Sequence, residues 1–336
     1  MYWYYKYPLI LLLLLSFAGI AVFSWKKISG STPLSQKSNG KIVELISEPS
    51  NNSENKAPQA APKEQNNNIA ENYDQPISTP DPIPQFQKLY HAAETQLSNN
   101  FLQAARTLAE RAMSLEGIVE FDKNWMRAAE LINRVNQRFM NSSAPAPEKE
   151  RYTIQYGDSL NKIAQHNYTS IEAILRLNPS IQNNKSIIHP RQVVSLLTSA
   201  WRIRISKSQY ILILYNNQKL YRLYHVGIGR EDRTPTGTFV ITSRLVHPAW
   251  TPPGKNIPYG DPENILGTHW LGLHPFGNTD PTLSGYGIHG TWSPDSIGTG
   301  ASAGCIRLQN DDIEELFDFI PEPGGQAPPI KVTIEE

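Results

Sequence analysis

Residues 286–308 read YGIHGTWSPDSIGTGASAGCIRL. They hold the chain's only cysteine, Cys305, at the end of the small-residue turn Ser302-Ala303-Gly304-Cys305. A thiol becomes a strong nucleophile near neutral pH when a base lies beside it. His289, sixteen positions upstream, is the candidate base. Gly304 lets the backbone approach a substrate carbonyl, and the N–H groups around Gly304 and Cys305 are candidates for stabilising an oxyanion. Arg307 leaves the same turn and can hold a carboxylate in a forked pair. A lone cysteine is more often a small buried hydrophobe. Its glycine-rich setting beside a histidine argues for use.

Working outward, the surrounding stretch has strand periodicity. Trp201–Ile205 alternates, 210–215 (YILILY) is a short apolar run, and Asn216-Asn217 turns into the alternating stretch 219–226. Further strands are expected over 237–242 and 330–334, and 311–319 reads as the one clear helix. Residues 201–336 therefore predict a mainly β domain with long loops that carry the chemistry. His225, His247, His269 and His274 also fall here, but no HExxH or comparable ligand spacing occurs, so no metal is expected. No cofactor is expected either.

The 336-residue chain is long enough for about two domains. Lys+Arg and Asp+Glu both number 31, so no global positive field exists to gather nucleic acid. One cysteine excludes a disulfide framework within the chain. Between Lys6 and Lys26 lie 19 uncharged residues. As a helix these span about 28 Å, close to a bilayer's hydrocarbon core. Aromatic residues flank the run at Tyr2–Tyr7 and Trp25, as in an interfacial belt. Residues 1–28 are read as a transmembrane anchor, with a cleaved signal segment as the alternative. Residues 29–85, rich in Pro, Asn, Ser and Gln, are read as a disordered tether. From 86 to 140 the period becomes helical. Phe86, Leu89, Tyr90, Ala93 and Leu97 share one face; Phe101, Ala105, Leu108, Ala112 and Leu115 a second; Trp125, Ala128, Ala129, Ile132, Val135 and Phe139 a third. This predicts a short helical bundle, faintly like a tetratricopeptide unit, that serves as a spacer or docks an unknown partner. Residues 141–150 form a second linker.

Residues 151–198 predict strand, helix, helix, strand: a strand at Tyr152–Ile154, a cap at Asp158 or Ser159, a second helix stopped by Asn178-Pro179, and a closing strand around Val193–Leu196. The Tyr-x-Ile start, Gly-Asp-Ser-Leu, Asn178-Pro179 and the Gln192-Val193-Val194 close resemble the LysM family. That resemblance implies a small α+β domain binding peptidoglycan glycan strands, with Gly157, Asp158, Asn178 and Pro179 near the groove. His189-Pro190-Arg191 departs from the family's usual Pro-Gly.

The decisive segment, together with the blocks 234–239 (TPTGTF), 264–272 (NILGTHWLG) and 285–290 (GYGIHG), resembles the L,D-transpeptidases of the YkuD family. The resemblance covers 201–336 and implies a β-sandwich with long active-site loops. It implies a catalytic set of Cys305 as nucleophile, His289 as general acid/base and the Gly290 carbonyl orienting it. Ser302, Gly304, Arg307 and Tyr286 would then form the oxyanion and substrate contacts. Ala303 stands where the family often has histidine. The implied reaction is thioacyl transfer from a peptidoglycan stem tetrapeptide to an acceptor amine. An L,D-carboxypeptidase, a transferase anchoring proteins to the wall, or a non-catalytic peptidoglycan-binding scaffold are alternatives. The implied setting is the bacterial cell envelope, with the catalytic domain in the periplasm, held to the inner membrane by the anchor or secreted after cleavage.

Overall fold

The structure, a computed structural model, describes residues 83–142, 144–183 and 187–336. The expected anchor over 1–28 and the expected tether over 29–85, up to residue 82, lie outside the described residues; residues 83–85 belong instead to the first helix. Among the described residues no helix is long and apolar enough to cross a membrane.

Three helices come first: α1 (Ile83–Ser98), α2 (Leu102–Met113) and α3 (Lys123–Met140). Helix α3 starts where the Asp122 carboxylate accepts the N–H groups of Asn124 and Trp125, satisfying donors that have no intrahelical partner. All six residues expected on its inner face are buried. Phe101 is the exception among the expected faces: it precedes α2 as its N-cap, and is 60% exposed. The helices do not stand apart. Their apolar faces form one core with Ile211, Ile213, Tyr215, Leu220 and Leu223 from the hairpin that follows.

Next comes the β-α-α-β unit, with β1 (Lys149–Thr153) antiparallel to β2 (Val193–Leu197). Between them lie α4 (Leu160–His166), α5 (Ile171–Leu177) and the short α6 (Pro179–Asn183), which the sequence reading does not anticipate. Ser159 and Ser170 cap α4 and α5. Ile154, Ile163, Ile174, Ile181, Val194 and Leu196 fill a small core.

The remaining strands are β3 (Trp201–Ser206), β4 (Ile211–Asn216), β5 (Lys219–His225), β6 (Ile228–Gly229), β7 (Gly237–Val246), β8 (His269–Pro275), β9 (Gly287–His289), β10 (Gly300–Ser302), β11 (Ile306–Arg307) and β12 (Lys331–Glu335), with α7 (Asn310–Phe319) before β12. The expected two-sheet sandwich is not formed. Eight strands make one curled sheet in the order β11-β9-β8-β7-β12-β3-β4-β5. The reason is β12, which pairs antiparallel with β7 and parallel with β3, so the two halves share a strand instead of facing each other as separate sheets. The inner face wraps a core that includes Ile203, Leu212, Phe239, Leu271, Ile288, Ile306 and Val332, closed by Ile313, Leu316 and Phe317 of α7.

The 210–215 run is apolar on both faces because both are covered: Leu212 and Leu214 point into the sheet core, Ile211 and Ile213 onto the helices. Strand β5 lies at the sheet edge, where free backbone groups would invite pairing. Asparagines of α3 occupy them. Asn133 donates to the Leu223 carbonyl and accepts from the Leu223 N–H, both at 2.8 Å, and Asn136 donates to the Tyr221 carbonyl at 2.8 Å. Behind them Arg106 and Glu148, both buried, form a two-pronged ion pair at 2.7 and 3.2 Å.

Helix α5 is likewise fastened to α7. Arg176 reaches Asp318 at 3.0 Å and Glu315 at 3.1 Å. Glu315 also pairs with Arg222 of β5. Burial pushes the Asp318 carboxyl up to about 6 despite Arg176 beside it. Ala173 and Leu177 of α5 belong to the sheet core, so this unit is part of the wall around α7.

Candidate active site

The register across four strands builds the site. Ile288, Leu271 and Ile306 stand opposite one another and point into the core. Side chains one position away point out. One outward row runs Leu245, Trp270, His289, Arg307 across β7, β8, β9 and β11. The next runs Ser243, Gly272, Gly287, and ends beside Cys305, whose sulfur receives the Gly287 N–H. The thiol, imidazole and guanidinium thus share one face. The floor leading from them to Ser243 and Leu245 is about 14 Å wide at ordinary strand spacing.

The glycines of that floor leave room for the indole and, at Gly272, for Ser243 Oγ, which a Cβ would meet at 2.2 Å. A Cβ on Gly287 would stand 2.4 Å from Trp270 Cη2, and one on Gly272 3.0 Å from Trp270 Nε1. With both absent, Trp270 lies flat across the strands and stacks on His289, ring centres 5.8 Å apart and planes at 22°.

His289 Nδ1 lies 2.6 Å from the Gly290 carbonyl, so Nδ1 carries the proton and Nε2 the lone pair. The ring is buried, and that desolvation pushes its pKa down to about 4, while the Gly290 and Leu266 carbonyls favour the protonated form and Arg307 opposes it. Gly290 has no room for a side chain, since a Cβ would meet Asn310 Oδ1 at 2.2 Å. Asn310, at the start of α7, also accepts the Thr268 N–H at 3.2 Å. The helix that closes the core therefore also packs against Gly290, whose carbonyl bonds His289.

Burial raises the Cys305 thiol, while the Gly287 N–H and Arg307 pull the other way. Its sulfur also lies 3.6 Å from the Gly285 carbonyl. Among the described residues no hydrogen bond joins Cys305 to His289. The raised thiol and the depressed imidazole both favour the neutral forms of Cys305 and His289. Ser302 ties the turn: its hydroxyl donates to the Cys305 carbonyl at 2.7 Å and accepts the Gly304 N–H at 3.0 Å. Gly304 has φ +142°, and a Cβ there would come within 2.9 Å of the Tyr286 ring and 3.0 Å of the Arg233 carbonyl. The guanidinium of Arg307 forms no ion pair among the described residues, and its buried Nε has no acceptor. Ala303 is exposed.

Cys305, His289, Gly290, Ser302, Gly304, Arg307 and Tyr286 thus gather at one place. Gly157, Asp158, Asn178 and Pro179 lie in the β-α-α-β unit. Gly157 is open, with φ +84°. Asp158 accepts the Gln155 N–H at 2.7 Å and the Tyr152 hydroxyl at 2.9 Å, which hold its carboxyl below the usual range. Asn178 bonds both the N–H and carbonyl of Ser195, and Pro179 opens α6. Sequence reasoning does not single out Trp270, Asn310 or Thr234, although two of them lie in the motif blocks quoted above. Among the described residues no cluster of three or more His, Cys, Asp or Glu is placed to hold a metal ion.

Residues 200–334 match the model of the L,D-transpeptidase catalytic domain, YkuD. A Bacillus subtilis (strain 168) protein named as an L,D-transpeptidase, YkuD, is 34% identical over 175 residues, 51% of this chain and 93% of its own length. The chain belongs to the YkuD family of L,D-transpeptidases. Residues 152–196 match the LysM domain, so a peptidoglycan-binding module precedes the transpeptidase domain. An Escherichia coli (strain K12) protein named as an L,D-transpeptidase, YcfS, is 30% identical over 207 residues, 53% of this chain and 62% of its own. Among solved structures, the catalytic domain of an E. faecium L,D-transpeptidase covers 41% of this chain and 98% of that chain, at 20% identity and TM-score 0.30. The YkuD family's activity is peptidoglycan crosslinking, and its setting is the cell envelope.

Proposed function

We propose that this chain crosslinks peptidoglycan by acyl transfer through a thioester on Cys305. The observation that carries the reading is the outward face of β9 and β11, where a thiol, a histidine with its lone pair at Nε2 and a guanidinium free of carboxylate partners among the described residues sit together. The Cys305 sulfur attacks the carbonyl of the third, L-configured stem residue as its proton passes to His289 Nε2. The S–C bond forms and the carbonyl electron pair moves to oxygen. As the carbonyl returns, the bond to D-alanine breaks and its nitrogen takes the proton from His289. An acceptor amine then attacks the thioester, gives its proton to His289, and the thiolate departs and is reprotonated. Burial keeps the ring neutral at rest, and the Gly290 and Leu266 carbonyls support it during the moment it is charged. Arg307 suits a carboxylate of the donor. The Trp270 shelf gives the stem peptide an apolar surface to lie on.

The reading extends to the whole chain. Residues 1–28 anchor it to the inner membrane and 29–82 give reach. The helices over 86–140, joined by 141–150 to the glycan-binding unit at 151–198, brace the catalytic domain at 201–336, which works in the periplasm. Mass spectrometry of disaccharide-tetrapeptides incubated with wild type and with Cys305→Ala tests the proposal. A crosslinked dimer lacking one D-alanine, formed by wild type alone, supports it. Tripeptide without dimer would reassign the site to hydrolysis. Dimer from Cys305→Ala would sink the nucleophile assignment.

A further inference from the structure

Thr234 opens the block 234–239 (TPTGTF) and has no part in the chemistry described so far. Its side chain is fully buried, at 0% exposure. The hydroxyl makes two hydrogen bonds: it accepts the Gly229 N–H at 2.7 Å and donates to the Gly304 carbonyl at 2.8 Å. The second bond fixes the peptide that joins Gly304 to Cys305. A trans peptide is planar, so its C=O and N–H point in opposite directions. With the carbonyl pinned to Thr234, the Cys305 N–H is aimed the other way.

The neighbouring amides are engaged. The Gly304 N–H is held by Ser302 Oγ, and the Arg307 N–H by the Gly227 carbonyl at 2.8 Å. The Cys305 N–H has no protein acceptor among the described residues. The sequence reading offers the N–H groups of both Gly304 and Cys305 for an oxyanion; the hydrogen bonding leaves only that of Cys305. The segment holding Thr234 is itself braced. Gly229 packs so closely that a Cβ would stand 2.8 Å from Thr234 N and 2.9 Å from Gly304 Cα. Buried Lys207 pairs with Asp232, and with Glu336 at 2.9 Å. Glu231 and Asp232 take left-handed φ of 51° and 59°, a conformation that persists only where surroundings over-determine it.

We propose that Thr234 is a positioning residue for the oxyanion: it aims the Cys305 N–H at the oxygen of the tetrahedral intermediate. The inference rests on the acyl-transfer reading above. It separates two reactions of one thiol. Acylation by a carbapenem adds sulfur to a carbonyl and needs the oxyanion donor. Alkylation by iodoacetamide displaces iodide from a saturated carbon and does not.

The experiment compares both rate constants in the full chain for wild type, Thr234→Val and Thr234→Ser. The valine keeps the shape and loses the hydroxyl; the serine retains it. Expected is an acylation rate about tenfold to a hundredfold lower in Thr234→Val, as for a misdirected oxyanion donor. Alkylation should stay within about twofold, and Thr234→Ser should recover most of the acylation rate. Parallel loss of both rates, or no loss of acylation, would overturn the proposal. A wild type that alkylates but never acylates would overturn the acyl-transfer reading and this role with it. If Thr234→Val does not fold, the wild type still decides. On acylation the Cys305 amide proton resonance should move downfield while that of Gly304 stays, and the reverse pattern refutes the assignment.

Discussion

Trp270→Ala should move the acid limit of activity upward, because the indole stacks on His289 and covers one face of its ring. The ring titrates near 4, chiefly because it is buried, against an ordinary value near 6.5. That difference corresponds to about 3 kcal/mol against the charged ring. The sign follows from the chemistry. A protonated ring cannot take the thiol proton, so activity falls as pH drops through the ring's pKa. At pH 5.5 a ring of pKa about 4 is roughly 97% neutral, whereas an unshifted one is roughly 9% neutral, a difference of about tenfold in competent enzyme. Wild type should therefore keep nearly full kcat/KM at pH 5.5. Removing the indole uncovers one face of the imidazole and lets water support its charged form, moving the acid limb up by about one to two units. The assay is the carbapenem acylation rate from pH 3.5 to 8, with thermal melting at each pH to exclude unfolding. A wild-type limb near 6.5, or an identical limb in Trp270→Ala, would refute the account of burial as the cause.

The same depressed pKa links to folding. The unfolded chain binds a proton on His289 that the native chain refuses between about pH 6.5 and 4, so stability is lost as pH falls through that window, by up to about 3 kcal/mol; denaturant titrations that show no loss there beyond that of His289→Gln would contradict it. Arg307→Met should slow acylation by carboxylate-bearing donors about tenfold or more while alkylation by neutral iodoacetamide changes little, and an equal fall in both would move Arg307 from substrate contact to thiol activation. Arg106→Met leaves Glu148 buried and alone, a loss expected to be about 3–5 kcal/mol, read as a lower melting temperature; a shift equal to that of an exposed control such as Arg134→Met would show the pair to be dispensable. For the LysM unit, deletion is a poor test because α5 contributes Ala173 and Leu177 to the core around α7. Tyr156→Ala, at a side chain 95% exposed beside Gly157, should weaken binding to intact sacculi several-fold with unchanged melting, and undiminished binding would exclude that loop from the glycan contact.

Much of this molecule follows from local pattern. The spacing of Trp125, Ala128, Ala129, Ile132, Val135 and Phe139 marks α3, and the alternation in 201–205 and 219–226 marks strands. These signals are local because each element buries one face. Cys305 and His289 are legible for a related reason: a lone thiol in a glycine-rich turn, with a His-Gly pair upstream, has few structural uses. Nothing local says that β12 joins two half-sheets into one, because pairing partners are decided by chain segments far apart in sequence. Nor does the sequence tell that 210–215 is apolar on both faces because α3 lies on one of them, with Asn133 and Asn136 closing the edge of β5. The site divides along the same line. Which residue types are candidates for the chemistry is legible in the sequence. Which proton His289 carries, how far burial under Trp270 lowers its pKa, and which amide of the nucleophile turn stays free were decided by tertiary structure, since each depends on a neighbour brought in from another strand or loop.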